Sequence, residues 1–171
     1  MKKIYEYMES FSIAIIFITV LILFMCRIIV VDGDSMNNTL NSGEKLLITN
    51  FMYTPEKGDI VVTDSSVYAR GPLIKRVIAT GGDTILIDYS TGDVYVNSYL
   101  LEEDYIAEKI EIEKREELKI TLPEGYLFLM GDNRNHSADS RIEEIGLVNE
   151  KNILGKAIFR ISPLSEIGKV K

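Results

Sequence analysis

The sequence predicts a transmembrane helix followed by a mainly β domain, an antiparallel sheet or barrel-like body. Three observations carry this: an apolar run near the N-terminus, a series of short apolar segments punctuated by glycine turns, and a composition that excludes most alternatives. The chain has 171 residues, room for one domain beside a helix. Its 46% hydrophobic content is too high for disorder. A net charge of −7 argues against nucleic acid as a partner. The single cysteine, Cys26, excludes an intrachain disulfide and a multi-cysteine zinc site, and the single His136 excludes a site needing two histidines. No metal or cofactor is expected.

The first element is Ser10–Val31, SFSIAIIFITVLILFMCRIIVV, whose 22 residues carry one charge, Arg27. As a helix it would measure about 33 Å, enough for a hydrocarbon core of ~30 Å. No small-residue cleavage site follows the run, which argues against a removed leader. Apolar residues on every face argue against an ordinary core helix. An anchor over residues 10–31 is expected, with Arg27 reaching the far interface and Ile28–Val31 running into the first strand. Lys2 and Lys3 favour residues 1–9 on the cytoplasmic side. Residues 32–171 then form an extracytoplasmic domain.

The strands expected within it are Lys45–Thr49, Asp59–Thr63, Leu73–Thr80, Thr84–Asp88, Asp93–Asn97, Tyr126–Met130 and Ile153–Ile161. Gly58-Asp59, Gly81-Gly82-Asp83 and Thr91-Gly92-Asp93 supply turns between them. Glu102–Lys119, with eight acids and four bases, reads as a helix or a mobile insertion with a solvated face.

Three segments carry chemistry. Asp32-Gly33-Asp34-Ser35-Met36 follows the apolar run, and its small turn-forming residues can expose the Ser35 hydroxyl and converge backbone N–H groups on one spot. Lys75 sits in an apolar strand, where desolvation lowers an amine's pKa and makes it a usable base. Strict alternation puts Lys75, Val77 and Ala79 on one face and Ile74, Arg76 and Ile78 on the other. Gly131-Asp132-Asn133-Arg134-Asn135-His136-Ser137-Ala138-Asp139-Ser140-Arg141 follows a strongly apolar strand. There Asp139, Arg141 and Arg76 can pair and hold the loop against the Lys75 strand, with Ser137 in reach of the amine.

In order and spacing these segments, with Gly58-Asp59-Ile60-Val61-Val62, resemble the type I signal peptidases, in their short single-span Gram-positive form. The similarity runs from the anchor to about Arg160. It implies a plasma-membrane serine endopeptidase that removes signal peptides from secretory preproteins after small residues, at A-x-A-like sites, and that sits in the lipid bilayer. It implies Ser35 as nucleophile, Lys75 as general base and Ser137 as the hydroxyl that orients the lysine. Asp139, Arg141 and Arg76 would be structural supports, and Ile29, Val31, Met36, Leu40 and Ile74 would line the substrate pocket. Two positions depart from the family. Asn38 stands where proline is usual before Thr39-Leu40, which would loosen the turn. Gly33 stands where some members carry an oxyanion serine, leaving backbone N–H groups to fill the hole. Three rival readings are a self-cleaving repressor with a similar dyad, a Ser35–His136–Asp139 triad, and a non-catalytic anchored β-domain that binds secreted partners.

Overall fold

The computed structural model describes residues 2–111 and 116–170. Helix α1, Lys2–Met25, leads into β1, Cys26–Val30. The strands β2 (Lys45–Thr49), β3 (Ile60–Thr63), β4 (Ile74–Ala79), β5 (Thr84–Asp88), β6 (Asp93–Val96) and β7 (Tyr99–Leu100) follow. Then come β8 (Leu118–Thr121), β9 (Tyr126–Met130), β10 (Val148–Asn149), β11 (Ile153–Ser162) and β12 (Gly168–Lys169). The larger sheet has the order β1-β2-β11-β3-β4-β9-β10, with β12 added on β11, and the smaller one is β7-β6-β5-β8. All pairings are antiparallel.

The pattern of apolar residues explains this layering. Strands β3 and β9 read as apolar runs, β4 breaks its run with Lys75 and Arg76, and nearly every residue in the three is buried, as expected mid-sheet with both faces covered. Strands β5 and β6 alternate buried and half-buried residues, so one face alone is covered. Ile85, Ile87, Val94 and Val96 of the small sheet pack with Ile78, Phe128 and Met130 of the large one. Val61, Val77, Leu127 and Leu129 form a second cluster, and Met36, Leu40, Leu46 and Ile48 belong to a third. Strict alternation fails in β4: a bulge between Val77 and Ala79 puts Ile78 and Ala79 in the same cluster.

The expected interior strands match within one or two residues at their ends. Strands β7, β10 and β12 are two residues each, too short to show a period. Strand β8 begins in the last two residues of the acidic segment Glu102–Lys119 and runs past its end, and the charges before it mask the alternation of Leu118 and Ile120. That segment forms no helix among its described residues, and 112–115 of it lie outside them. It is not simply a solvated face, because Ile110 belongs to the core.

The expected helix also ends early. Cys26–Val30 pair with Thr49–Lys45 of β2, so strand pairing takes over from the helix at Cys26. The apolar helical part, residues 10–25, is about 24 Å long at 1.5 Å per residue. Among the described residues no helix is long and apolar enough to cross a membrane. The Ser12 and Thr19 hydroxyls donate to the Met8 and Ile15 carbonyls one turn back, and Thr49 Oγ1 caps the helix end at the Met25 carbonyl.

Candidate active site

Strand pairing brings two distant segments to one end of the large sheet. Arg76 of β4 lies opposite Met130 of β9, so the chain leaving β9 at Gly131 passes beside Lys75. A side chain at Gly131 would have no room: its Cβ would lie 2.2 Å from Ser137 Oγ and 2.5 Å from the Ser35 carbonyl oxygen. Glycine is needed here for close approach, and its Cα separates two serines that are far apart in sequence.

Ser35 is presented by the turn after β1. Asn37 N–H bonds the Asp34 carbonyl at 3.1 Å, and Leu40 N–H bonds that of Met36 at 2.8 Å. Met36 and Leu40 root this turn in the core. The polar loop clamps it from the other side: Asn133 donates from its backbone to the Ser35 carbonyl and from its side chain to the Asp34 carbonyl, each at 3.0 Å. Thr39 Oγ1 donates to Asp132 at 2.5 Å. The turn with Asn38 in place of proline is thus closed at both ends.

Lys75 is 3% exposed. Its Nζ donates to Ser35 Oγ at 2.6 Å and to its neighbour's carbonyl, Ile74, at 3.0 Å. Burial brings its pKa down from 10.5 to about 8; Asp139 and Asp132 oppose the change, and Arg141 adds to it. Both aspartates are engaged. Arg76 grips Asp132 with two hydrogen bonds of 2.8 and 2.7 Å. Arg141 grips Asp139 at 2.7 and 2.8 Å, and Gly131 N–H adds a third bond at 3.0 Å. Burial alone would raise the Asp139 pKa; the Arg141 bond and charge, with Gly131 and Ser137, outweigh it and hold the carboxyl below its usual range. Pairing matters because an isolated buried charge is costly.

Ser137 Oγ is buried against Gly131 and close to Asp139, but among the described residues it makes no hydrogen bond of full geometry, to Lys75 or any other group. His136 is exposed, and both Asp139 oxygens are occupied by Arg141 and Gly131, so the geometry of a Ser35–His136–Asp139 triad is not assembled. Gly33 has φ +95°, and its N–H is taken by Ser42 Oγ at 3.2 Å.

Ser35 and Lys75 stand in the wall of a groove of about 470 Å³. Of the five residues expected at a substrate pocket, Ile29, Val31, Met36 and Ile74 lie in its lining and Leu40 does not. Leu40 is fully buried in the core beneath the turn. Val62, Tyr68, Leu73 and Leu154 also line the groove. They come from β3, the β3–β4 loop and β11, which only the sheet order brings together. Sequence reasoning also left Thr39, Asp132 and Arg134 without roles. Their signal was weak, since a polar loop full of charges does not say which ones are buried.

The comparisons with known proteins define the class, a serine peptidase of the signal-peptidase kind. The family model described as "Signal peptidase, peptidase S26" matches residues 4–162, and the chain belongs to that family. It is 31% identical to signal peptidase I of Bacillus licheniformis over 98% of this chain and 94% of that protein. Signal peptidase I P of Bacillus subtilis subsp. natto is 32% identical, over 99% and 95%. A probable signal peptidase I-1 of Synechocystis sp. is 33% identical, over 96% and 86%. The protein is accordingly an enzyme, a serine endopeptidase of the signal peptidase I type.

Proposed function

We propose that this enzyme removes N-terminal signal peptides from secreted preproteins while held at the plasma membrane, using Ser35 as nucleophile and Lys75 as general base. One observation carries the reading: a buried amine with a pKa of about 8 lies 2.6 Å from a serine hydroxyl in the wall of an apolar groove. When the amine is neutral the bond reverses, and the hydroxyl donates to the Nζ lone pair. Lys75 takes the Ser35 proton as Oγ attacks the scissile carbonyl. Backbone N–H groups, that of Ser35 among them, hold the oxyanion. Lys75 passes the proton to the leaving amine. A water then gives a proton to Lys75 and attacks the acyl carbon, and Ser35 leaves with that proton. The dyad supplies base and nucleophile without metal or cofactor. Ser137 would act as a positioning hydroxyl once its Oγ turns toward Nζ, and Arg76, Asp139 and Arg141 keep the charges around Lys75 paired.

The groove walls of Ile29, Val31, Met36 and Ile74 suit small apolar side chains at the substrate's cleavage site. Helix α1 supplies the attachment. Its described apolar side chains are exposed around the helix, Ile13 at 61% and Phe17 at 68%, and its hydroxyls bond their own helix, as lipid requires. Tyr5 and Tyr7 near its start suit the interface on the cytoplasmic side. Attachment confines enzyme and membrane-bound substrate to one surface and raises their effective concentration. The test is cleavage of a preprotein by the full chain in detergent, with sequencing of the new N-terminus. Loss of cleavage in folded Ser35→Ala and Lys75→Met supports the dyad. Binding of preprotein without turnover by the wild type overturns the enzymatic reading in favour of a binding domain.

A further inference from the structure

Residues 103–111 of the acidic segment leave the small sheet and lie along the polar loop that carries Ser137 and Asp139. Its attachments are polar and close. Glu103 meets the guanidinium of Arg134 with both oxygens, one bond at 2.7 Å to Nη1 and a shorter one to Nη2. The Arg134 side chain is fully buried and that of Glu103 nearly so. Asn135 accepts from Glu111 N–H at 2.8 Å and donates to Glu108 and to the Lys109 carbonyl. Lys109 ties the segment back to Asp93 of β6 at 2.6 Å. The Tyr105 ring has two guanidinium groups over it, that of Arg76 at 4.0 Å from its centroid and that of Arg134 at 5.9 Å.

Both arginines lead to the Ser35 turn. Arg134 Nε donates to the Gly131 carbonyl at 3.1 Å, and Gly131 is the residue wedged between Ser35 and Ser137. Arg76 holds Asp132, and Asp132 holds Thr39, four residues beyond Ser35. Neither Glu103 nor Tyr105 lines the groove. We infer that Glu103 and Tyr105 are positioning residues for the reaction: as a strap, they hold Arg134 and Arg76 and thereby fix Ser35 relative to Lys75. A buried guanidinium without its carboxylate is costly and moves to find water or another partner. Movement of Arg134 releases the Gly131 carbonyl, and misplacement of about 1 Å at a reacting pair costs on the order of 10²-fold in rate. The effect falls chiefly on kcat, because neither Glu103 nor Tyr105 contacts the groove and the loss is in the alignment of Ser35 with Lys75.

This inference rests on the dyad reading, so the experiment has two readouts. In the full chain in detergent, preprotein cleavage is measured alongside hydrogen exchange of residues 36–40 and 131–137. Glu103→Gln and Tyr105→Leu should lower kcat by roughly tenfold or more, with KM within about twofold and the protein folded. Tyr105→Phe keeps the ring over Arg76 but gives up the hydroxyl's 3.1 Å bond to Glu103, so its kcat should lie between those of Tyr105→Leu and the wild type. Exposed Glu102→Gln should match the wild type. Exchange at 36–40 should quicken in Glu103→Gln and Tyr105→Leu. Unchanged kcat and exchange in both variants overturn the strap, as does a change confined to KM, which would make the segment part of the substrate groove. A wild type that does not cleave refutes the proposed function, and the exchange data then decide the strap alone.

Discussion

Lys75→Met separates catalysis from stability. The unfolded chain keeps the lysine proton up to 10.5, and the folded protein releases it near 8. Below pH 8 folding must bury a protonated amine. The penalty is about 3 kcal/mol, because each pH unit between those two values is worth ~1.4 kcal/mol. Between the same two values unfolding takes up a proton, so wild-type stability rises with pH across 8 to 10.5, where the penalty disappears. Methionine has no proton to bury. It forfeits the bonds to Ser35 Oγ and the Ile74 carbonyl, each worth about 1 kcal/mol. The variant should therefore be more stable than the wild type by about 1 kcal/mol at pH 7, a rise of roughly 2–4 °C in Tm at this chain size. Above pH 10.5 it should be less stable, so the two curves cross between pH 8 and 10.5. The assay is thermal unfolding by circular dichroism in detergent from pH 6 to 11, with preprotein cleavage in parallel. An inactive variant whose Tm follows that of the wild type at a constant offset would refute the assignment of a buried, depressed amine.

The remaining predictions use the same site. With Lys75 at about 8, roughly one molecule in ten holds the neutral amine at pH 7, so kcat/KM should rise about tenfold per pH unit below 8 and level off above it; a pH-independent rate from 6 to 9 would contradict the base assignment. Gly131→Ala places a methyl 2.2 Å from Ser137 Oγ and 2.5 Å from the Ser35 backbone, so the pair must separate and kcat should fall by about 10²-fold; kinetics of the folded variant decide. Gly33→Ser has open space around its Cβ but must adopt φ +95°, so it should destabilise by about 1–2 kcal/mol without a gain in kcat; a faster enzyme of unchanged Tm would show an oxyanion donor there. His136→Ala should leave kcat/KM within about tenfold, below the 10²–10⁴-fold typical of a lost general base; a larger loss in folded protein would revive the triad.

The sequence by itself determined the interior strands, because apolar runs such as Tyr126–Met130 and the glycine turns between them are local signals. It also singled out Ser35, Lys75 and the polar loop, though not one by one: each is ordinary alone, and their order and spacing together resemble the motifs of one family. The tertiary structure decided where the first helix stops, since Cys26 becomes strand only by pairing with Thr49 of β2. Pairing also removed Leu40 from the groove and brought in Val62 and Leu154. Most of all, it sorted the charges. Glu103 and Glu102 are adjacent acids with no local difference, yet one is buried on Arg134 and the other is exposed. That choice depends on which long-range partner the fold delivers, and a buried charge persists only where its counter-charge arrives with it.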